Sequence, residues 1–187
     1  MEAFSILPSS IAGLSVIERR QLKDDRGYFE RMFCQDSLNV ILAGRCVRQI
    51  NRSVTSDIGV VRGLHFQYPP HSEIKIITCV KGAVWDVAVD LRRGSPTFLQ
   101  HHAFALSEEA RQSVLIPEGF AHGFQALSPD CELIYIHTAD YHSESEAGLN
   151  ALDPRLGIDW PKPVTLRSEK DVGHPLMSDD FQGVVCQ

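Results

Sequence analysis

The stretch Arg62-Gly63-Leu64-His65-Phe66-Gln67 decides the fold expected of this chain, because it has the character of a β-strand that carries a candidate base. A second run of β-branched residues, 74–80, follows after a turn that contains two prolines. Apolar runs separated by turn residues are typical of neighbouring strands. Side chains alternate in direction along a strand, so His65 and Gln67 should share one face. The two strands then bring His65 and Lys75 into an otherwise apolar barrel.

Short β-rich runs separated by turn residues continue through most of the chain. They cover residues 47–54, 59–66, 74–80, 83–91, 97–106, 113–116 and 131–138. This spacing predicts an all-β fold, either a sandwich or a jelly roll. Ahead of these runs we expect a first strand at residues 11–16. We also expect one short helix at residues 36–42, capped by Asp36 and ended by Gly44.

Length, composition and charge limit the class of protein. A chain of 187 residues with 43% hydrophobic residues is long enough for a single domain over residues 1–187. The formal net charge of -6 argues against a nucleic-acid partner. No apolar run reaches the roughly 18 residues of a membrane-spanning helix, and residues 1–16 lack a cationic leader, so we expect no membrane partner and a cytoplasmic location. The five scattered cysteines form no CxxC pair and indicate neither a zinc knuckle nor a disulfide framework.

A second histidine motif, Pro-x-Gly-x-x-His, ends at His122 and resembles the second signature of the cupin superfamily. The first cupin signature has two histidines and a nearby glutamate, which form a metal site with the later histidine. Here Gln67 stands where the second histidine belongs, and Glu73 lies off the expected spacing. A tight site needs three or four well-placed ligands, and only His65 and His122 remain dependable. The sequence therefore predicts a cupin barrel without a metal; an ion held with the help of His71 or Glu73 is the alternative.

Six segments in a fixed order together resemble one known family. They are residues 62–67, 86–92, 94–98, 116–124, 156–161 and 168–171. Their residues and spacing are similar to those of the dTDP-4-dehydrorhamnose 3,5-epimerase family over about residues 25–171. The resemblance implies a cupin-type jelly roll, all-β with a few short helices, and a C-terminal wrap from about residue 145. It also implies a homodimer in which N-terminal strands are exchanged.

The resemblance further implies which residues form the active site. His65 and Asp171 match the basic dyad of the family, Lys75 matches its substrate-contacting lysine, and Tyr135 matches its acid tyrosine. The substrate positions of the family fall on Arg26, Glu30, Gln49, Asn51, Arg62 and His122, and the segment around Arg26 reaches the neighbouring subunit. The implied partner is a nucleotide sugar such as dTDP-4-dehydro-6-deoxyglucose, and no redox cofactor or metal is required.

The chemistry of a 4-keto sugar explains why these residue types are gathered. The C–H bonds at C3 and C5 are acidified by the ketone, and inverting either carbon requires proton removal on one face and proton return on the other. A general base contributes roughly 10²- to 10⁴-fold. The charge that grows on O4 of the enolate needs stabilisation worth roughly another 10²- to 10³-fold, for which Lys75 is the candidate, with Arg62 in support. His65 is then the base, with its tautomer fixed by Asp171, and Tyr135 returns the proton.

Two structural questions stay open in the sequence. In a regular strand Arg62 and His65 point to opposite faces, so both can reach one ligand only if Gly63 marks a bulge or bend, which we expect. Asp86 alternates with apolar residues of its run and faces either the cavity of His65 or water.

The reaction also leaves alternatives. Tyr141 lies one residue further along than the usual rhamnose-pathway pattern, a spacing that resembles members that make other deoxysugars, so double and single epimerisation both stay open. A 3,4-ketoisomerase acts on related 4-keto sugars. A metal-dependent cupin oxygenase and a non-catalytic nucleotide-sugar binding module are the alternatives from other classes.

Overall fold

The computed structural model describes residues 3–186, and almost all of its regular structure is β-strand. The strands are β1 Phe4–Pro8, β2 Ser15–Arg19, β3 Gln21–Asp24, β4 Gly27–Glu30, β5 Gln49–Thr55, β6 Val61–Gln67, β7 Lys75–Lys81, β8 Ala83–Asp90, β9 His101–Ser107, β10 Gln112–Ile116, β11 Phe120–Ala126, β12 Cys131–His137 and β13 Glu146–Gly148. The helices are α1 Gln35–Leu38 and α2 Glu169–Gly173.

Two antiparallel sheets form the body of the fold. One has six strands in the order β1-β2-β10-β7-β12-β5, and the other has five in the order β13-β6-β11-β8-β9. The sheets pack face to face, because apolar side chains from both meet in one core; examples are Ile77 and Val114 from the first sheet and Val84 and Phe124 from the second. The prediction of an all-β jelly roll is confirmed. Strands β3 and β4 pair with each other as a separate hairpin.

Strand β8 shows how the C-terminal chain completes the fold. Val84 and Ala88 face the core between the sheets, whereas Val87 and Val89 face a second core on the outer side. That second core is closed by apolar residues of the C-terminal segment, among them Leu149, Leu156, Met177 and Val184. Both faces of the strand are therefore buried, and residues 149–186 cover one of them.

Several local expectations differ from the structure. The first strand expected at residues 11–16 overlaps β2 only at residues 15–16, because Ile11 and Leu14 lie in the connection between β1 and β2 and are buried in the core from there. The helix starts near the expected residue but ends at Leu38. Leu42, expected to lie in the helix, lies in the turn that follows it and is buried from there. Strand β11 was not among the expected strands. All seven of its residues are buried, so its sequence lacks the alternation that would reveal it.

The bulge expected at Gly63 is present. His122 of β11 pairs with His65, whereas Phe124 pairs with Arg62, so three steps along β6 match two along β11. Gly63 has a φ of 118°, and a Cβ there would lie 2.6 Å from the Cα of Gly123. Only glycine permits this approach of two backbones. The extra residue turns Arg62 and His65 toward one cavity.

Over residues 3–186, neither helix has the length and apolar character that crossing a membrane requires.

Candidate active site

One cavity of about 340 Å³ lies between the two sheets and receives side chains from strands β5, β6, β7, β11 and β12 and from α2. Eight of the residues predicted for the site line it: Gln49, Asn51, Arg62, His65, Lys75, His122, Tyr135 and Asp171. The other two lie elsewhere within the described chain. Arg26 is exposed on the β3–β4 hairpin and pairs with Asp24. Glu30 ends the same hairpin, 3.6 Å from the guanidinium of Arg19.

His65 and Asp171 form a close pair although 106 positions separate them. His65 Nε2 lies 2.6 Å from Asp171 Oδ1, and the second carboxylate oxygen accepts the backbone N–H of Gly63 at 3.2 Å. The side chain of Ser168 caps α2 by accepting the N–H of Asp171 at 3.1 Å. This cap fixes the first turn of the helix and so directs the carboxylate into the cavity.

The electrostatics of this pair favour an ionised aspartate. Burial alone would raise the pKa of Asp171, but the hydrogen bond and charge of His65, with the donors from Gly63 and Ser168, lower it below its ordinary value. An ionised Asp171 accepts the proton on Nε2 of His65, which leaves Nδ1 of the neutral imidazole as the nitrogen with a free lone pair. The imidazole is 34% exposed, whereas the carboxylate is only 4% exposed. The arrangement suits a general base whose partner is shielded from water.

Lys75 lies on β7 of the six-stranded sheet, whereas His65 lies on β6 of the five-stranded sheet. Its ammonium donates to the backbone carbonyl of His65 at 3.1 Å and lies 3.1 Å from a carboxylate oxygen of Glu73. Glu73 also accepts a hydrogen bond from Gln67. Sequence reasoning treated Glu73 as an off-spaced metal ligand and missed its contact with Lys75. A buried ammonium held at one point is suited to stabilise negative charge on a bound molecule.

Tyr135, on β12, presents a protonated hydroxyl. Burial raises its pKa to about 12, although the hydrogen bond with Ser53 Oγ at 3.0 Å works in the opposite direction. His137 follows two residues later, its ring stacked with that of Tyr135. Burial, followed by the nearby charges of Lys75 and His122, lowers the pKa of His137 to about 4. Near neutral pH the cavity therefore has a neutral acid in Tyr135 and a neutral imidazole in His137.

His122 has its own carboxylate partner. Its Nε2 lies 2.8 Å from Asp86 Oδ2, and Asp86 is completely buried. Asp86 therefore faces the barrel interior and not water, which decides the question that alternation left open. His122 also pairs directly with His65 across β11 and β6. The two histidines are thus cross-strand neighbours, each bound to a different aspartate.

A group of polar residues at the mouth of the cavity was largely missed by the sequence analysis. The Tyr141 hydroxyl donates to Glu146 at 2.7 Å, and Lys170 lies 2.6 Å from the other oxygen of Glu146. Tyr141 was singled out only for its spacing, and Lys170 only as part of a family segment. No local pattern links residues 141, 146 and 170, because they meet only when α2 packs beside β13.

Among the residues that the structure describes, the candidate cupin ligands His65, His122, His71 and Glu73 include no three whose ligand atoms all lie within 4.8 Å of one another. Over residues 3–186, one group of at least three potential ligands has all its ligand atoms within 4.8 Å of one another, and it consists of His65, Asp171 and His174. His71 instead stacks on His142, with ring centroids 3.8 Å apart. Glu73 is bound to Lys75.

A jelly roll with a histidine–aspartate pair and a protonated tyrosine around one cavity defines a cupin-type enzyme equipped for acid–base chemistry. The family model described as dTDP-4-dehydrorhamnose 3,5-epimerase matches residues 8–179, so the chain belongs to that family and is an isomerase. Both the fold class and the family expected from the sequence are confirmed.

Individual relatives agree with this assignment. A dTDP-4-dehydrorhamnose 3,5-epimerase of Sinorhizobium fredii is 42% identical over 171 residues, which are 91% of this chain and 88% of the relative. A dTDP-4-dehydrorhamnose 3-epimerase of Streptomyces niveus is 40% identical, over 92% of this chain and 83% of the relative. The crystal structure of dTDP-6-deoxy-D-glucose-3,5-epimerase from Legionella pneumophila in complex with dTDP-4-keto-L-rhamnose superposes with a TM-score of 0.90 at 38% identity, covering 98% of this chain and 99% of that one.

Proposed function

We propose that this protein epimerises a dTDP-4-dehydro-6-deoxyhexose at C3 and C5, as part of rhamnose-type deoxysugar biosynthesis. One observation carries the proposal: the base His65, with its partner Asp171 from α2, and the acid Tyr135 enter the same cavity, and His65 and Tyr135 come from opposite sheets. A sugar ring bound between the sheets would then meet a base on one face and an acid on the other. Inversion of a carbon requires that arrangement, whereas binding alone does not.

The first step is proton abstraction. Nδ1 of His65 takes the proton from C5 or C3 of the sugar, and the bonding electrons move into the ketone to form an enolate. The imidazolium that results is stabilised by Asp171 across the 2.6 Å contact. The carboxylate is buried and ionised, so it needs no rearrangement at the moment of proton transfer.

The second requirement is stabilisation of the negative charge that forms on O4 of the sugar. Lys75 is the group assigned to this oxygen, and its position is set by the His65 carbonyl and by Glu73. Arg62 lines the same cavity and is held by Thr55 and by the Val54 carbonyl, so it can supply further positive charge. In a poorly hydrated cavity such charges act more strongly on the enolate than they would in water.

The final step returns a proton to the opposite face. Tyr135 donates its hydroxyl proton to the carbanionic carbon, which restores the ketone with inverted configuration. The phenolate that remains regains a proton while the His65 imidazolium loses one, so the net change in protons is zero. A pKa of about 12 makes Tyr135 a donor whose proton is in place at neutral pH.

We assign the homodimer implied by the family resemblance to the β3–β4 hairpin. The hairpin exposes large apolar side chains, Leu22 at 55%, Tyr28 at 62% and Phe29 at 65%, which a second copy of the chain would cover. Arg26 lies at its tip, outside the cavity of its own chain, where it could reach the partner's substrate.

Light scattering should give a dimer mass. Arg26→Ala should raise KM more than it lowers kcat, whereas Lys23→Ala on the same hairpin should do neither; equal effects would refute the role of Arg26.

Proton NMR of dTDP-4-keto-6-deoxyglucose in D₂O tests the reaction. Loss of signal at both H3 and H5 is expected with the protein and with His71→Ala, a variant of a histidine outside the cavity. His65→Ala should abolish both losses while circular dichroism shows the fold intact. Absence of exchange at both positions with the native chain would overturn the proposal, and a keto group moved to C3 would indicate a ketoisomerase.

A single-carbon epimerase is the second candidate, favoured by Tyr141. Its spacing departs from the rhamnose-pathway pattern, and its hydroxyl is bound to Glu146 at the cavity mouth. Exchange at one carbon only in the same NMR experiment would establish this reading.

The cytoplasmic location stays a prediction from the sequence; fractionation of the native host would test it.

A further inference from the structure

The nitrogen atom Nε2 of His174 is buried and has no hydrogen-bond partner among residues 3–186. His174 follows α2 directly, and this nitrogen lies 3.9 Å from Asp171 Oδ1, the same oxygen that binds His65. Ligand atoms of all three side chains lie within 4.8 Å of one another. This buried imidazole nitrogen lies near a carboxylate that already binds His65, and it lacks the partner that such atoms normally have.

Packing holds the second imidazole in place. The ring of His174 lies against the backbone of Gly148, where any Cβ would overlap it. It meets the ring of His65 edge to face, with centroids 5.6 Å apart. Asp171 lies in α2 and His174 directly follows it, whereas His65 lies in β6. The three donor atoms are thus presented by two elements, β6 and the α2 segment.

We propose that His65, Asp171 and His174 form a binding site for Zn²⁺ or a similar divalent transition metal, and that the bound ion switches off the base. Two imidazoles and one carboxylate are a donor set that zinc favours, with water in the fourth position. Atoms bound about 2.0–2.1 Å from a tetrahedral zinc are roughly 3.3–3.5 Å apart. The observed separations of 2.6 Å and 3.9 Å lie on either side of that value. Small shifts of the three side chains would complete the site.

Binding has a defined consequence for the proton on His65. The ion takes the Nε2 lone pair, so the single proton of the neutral imidazole, which Nε2 now donates to Asp171, moves to Nδ1. Nδ1 then no longer accepts a proton from the sugar. Asp171 is also engaged by the metal and no longer stabilises an imidazolium. The ion would therefore compete with catalysis rather than support it.

This site differs from the cupin alternative considered from the sequence. That alternative combined His65 and His122 with His71 or Glu73 across the barrel. The proposed ion lies instead beside α2, on the other flank of His65, and involves a histidine that does not line the cavity. The binding part of the inference is independent of the proposed function, and only the inhibition part rests on it.

Zinc titration of the metal-free protein tests the site directly, with a chromophoric chelator as competitor. We expect one Zn²⁺ per chain in the native protein. His174→Gln, which keeps the volume of the side chain, should weaken binding at least about 10-fold, since even an outer partner of a metal ligand is worth that much. His102→Gln on the edge strand β9 is the matched control and should bind as the native chain does. Equal binding by the native chain and His174→Gln, or no stoichiometric binding, would overturn the site.

Solvent-exchange kinetics test the consequence. Stoichiometric Zn²⁺ should inhibit deuterium exchange by the native chain and by His102→Gln, and excess chelator should restore it. In His174→Gln, inhibition should require at least about 10-fold more Zn²⁺. Binding without inhibition would keep the site and refute its effect on the base. If the chain proves inactive on the sugar, Co²⁺ absorption spectra of the same variants still decide whether the ligands are correct.

Discussion

Replacement of Asp171 by asparagine separates the roles of its two carboxylate oxygens. Oδ1 accepts the proton of His65 Nε2, and Oδ2 accepts the buried backbone N–H of Gly63. An amide has only one oxygen, so Asp171→Asn can satisfy only one of these two donors. In the variant, either His65 keeps an acceptor for its Nε2 proton or the Gly63 N–H at the bulge keeps its acceptor, but not both.

Both choices cost activity. If the amide oxygen stays on Gly63, the NH₂ group faces His65 and forces the proton onto Nδ1, so the base is lost; in a comparable protease triad the wrong tautomer costs roughly 10⁴-fold. If the oxygen turns to His65, the NH₂ group faces the buried backbone N–H of Gly63, which is left without an acceptor at a cost of about 1–3 kcal/mol, and the charge that stabilises the imidazolium is also gone. We therefore expect kcat to fall by about 10²- to 10⁴-fold.

Initial rates of deuterium exchange at C3 and C5 give this kcat, and KM should change much less because Asp171 acts through His65. Ser168→Ala is the control, since it removes the cap of α2 but keeps the carboxylate, and should cost about 1 kcal/mol of stability with modest loss of kcat. A loss below about 10-fold in Asp171→Asn, with the fold intact by circular dichroism, would refute the assignment of the dyad.

Three further substitutions test other groups. Tyr135→Phe removes the acid but not the base, so inversion should fall much more than exchange at the same carbon; equal loss of both in NMR would contradict the assigned role. Lys75→Met should lower kcat by about 10²- to 10³-fold through loss of the charge at O4, and an effect on KM alone would show a binding role only. Because burial lowers the pKa of His137 to about 4, the unfolded chain binds a proton at higher pH than the folded one. Stability should therefore fall as pH drops from about 6.5 to 4, by at most about 3 kcal/mol, and His137→Gln should flatten this part of the profile in chemical denaturation; an unchanged profile would argue against a buried neutral imidazole.

The bulge and strand β11 show where local pattern reaches its limit. The conflict between Arg62 and His65 predicted an irregularity at Gly63, because period-two alternation cannot place both side chains on one face. The same alternation failed for β11, since this strand is buried on one face by the six-stranded sheet and on the other by the C-terminal chain, and so has no polar face to reveal it. The alternation of polar and apolar residues therefore predicts a strand when one of its faces meets water, but not when both faces are buried.

The sequence by itself determined the all-β class, most strand positions, the family and the residue types of the site, because burial periodicity, turn chemistry and motif spacing are local properties of the chain. Only the tertiary structure decided which of these residues meet. It brought Asp171 to His65 across 106 positions, paired Glu73 with Lys75, turned Asp86 inward to His122 and set His174 beside the dyad. Arg26 and Glu30, in contrast, lie outside the cavity of their own chain. Such contacts depend on the order of strands in two sheets and on the path of the C-terminal segment, and no short window of sequence encodes either.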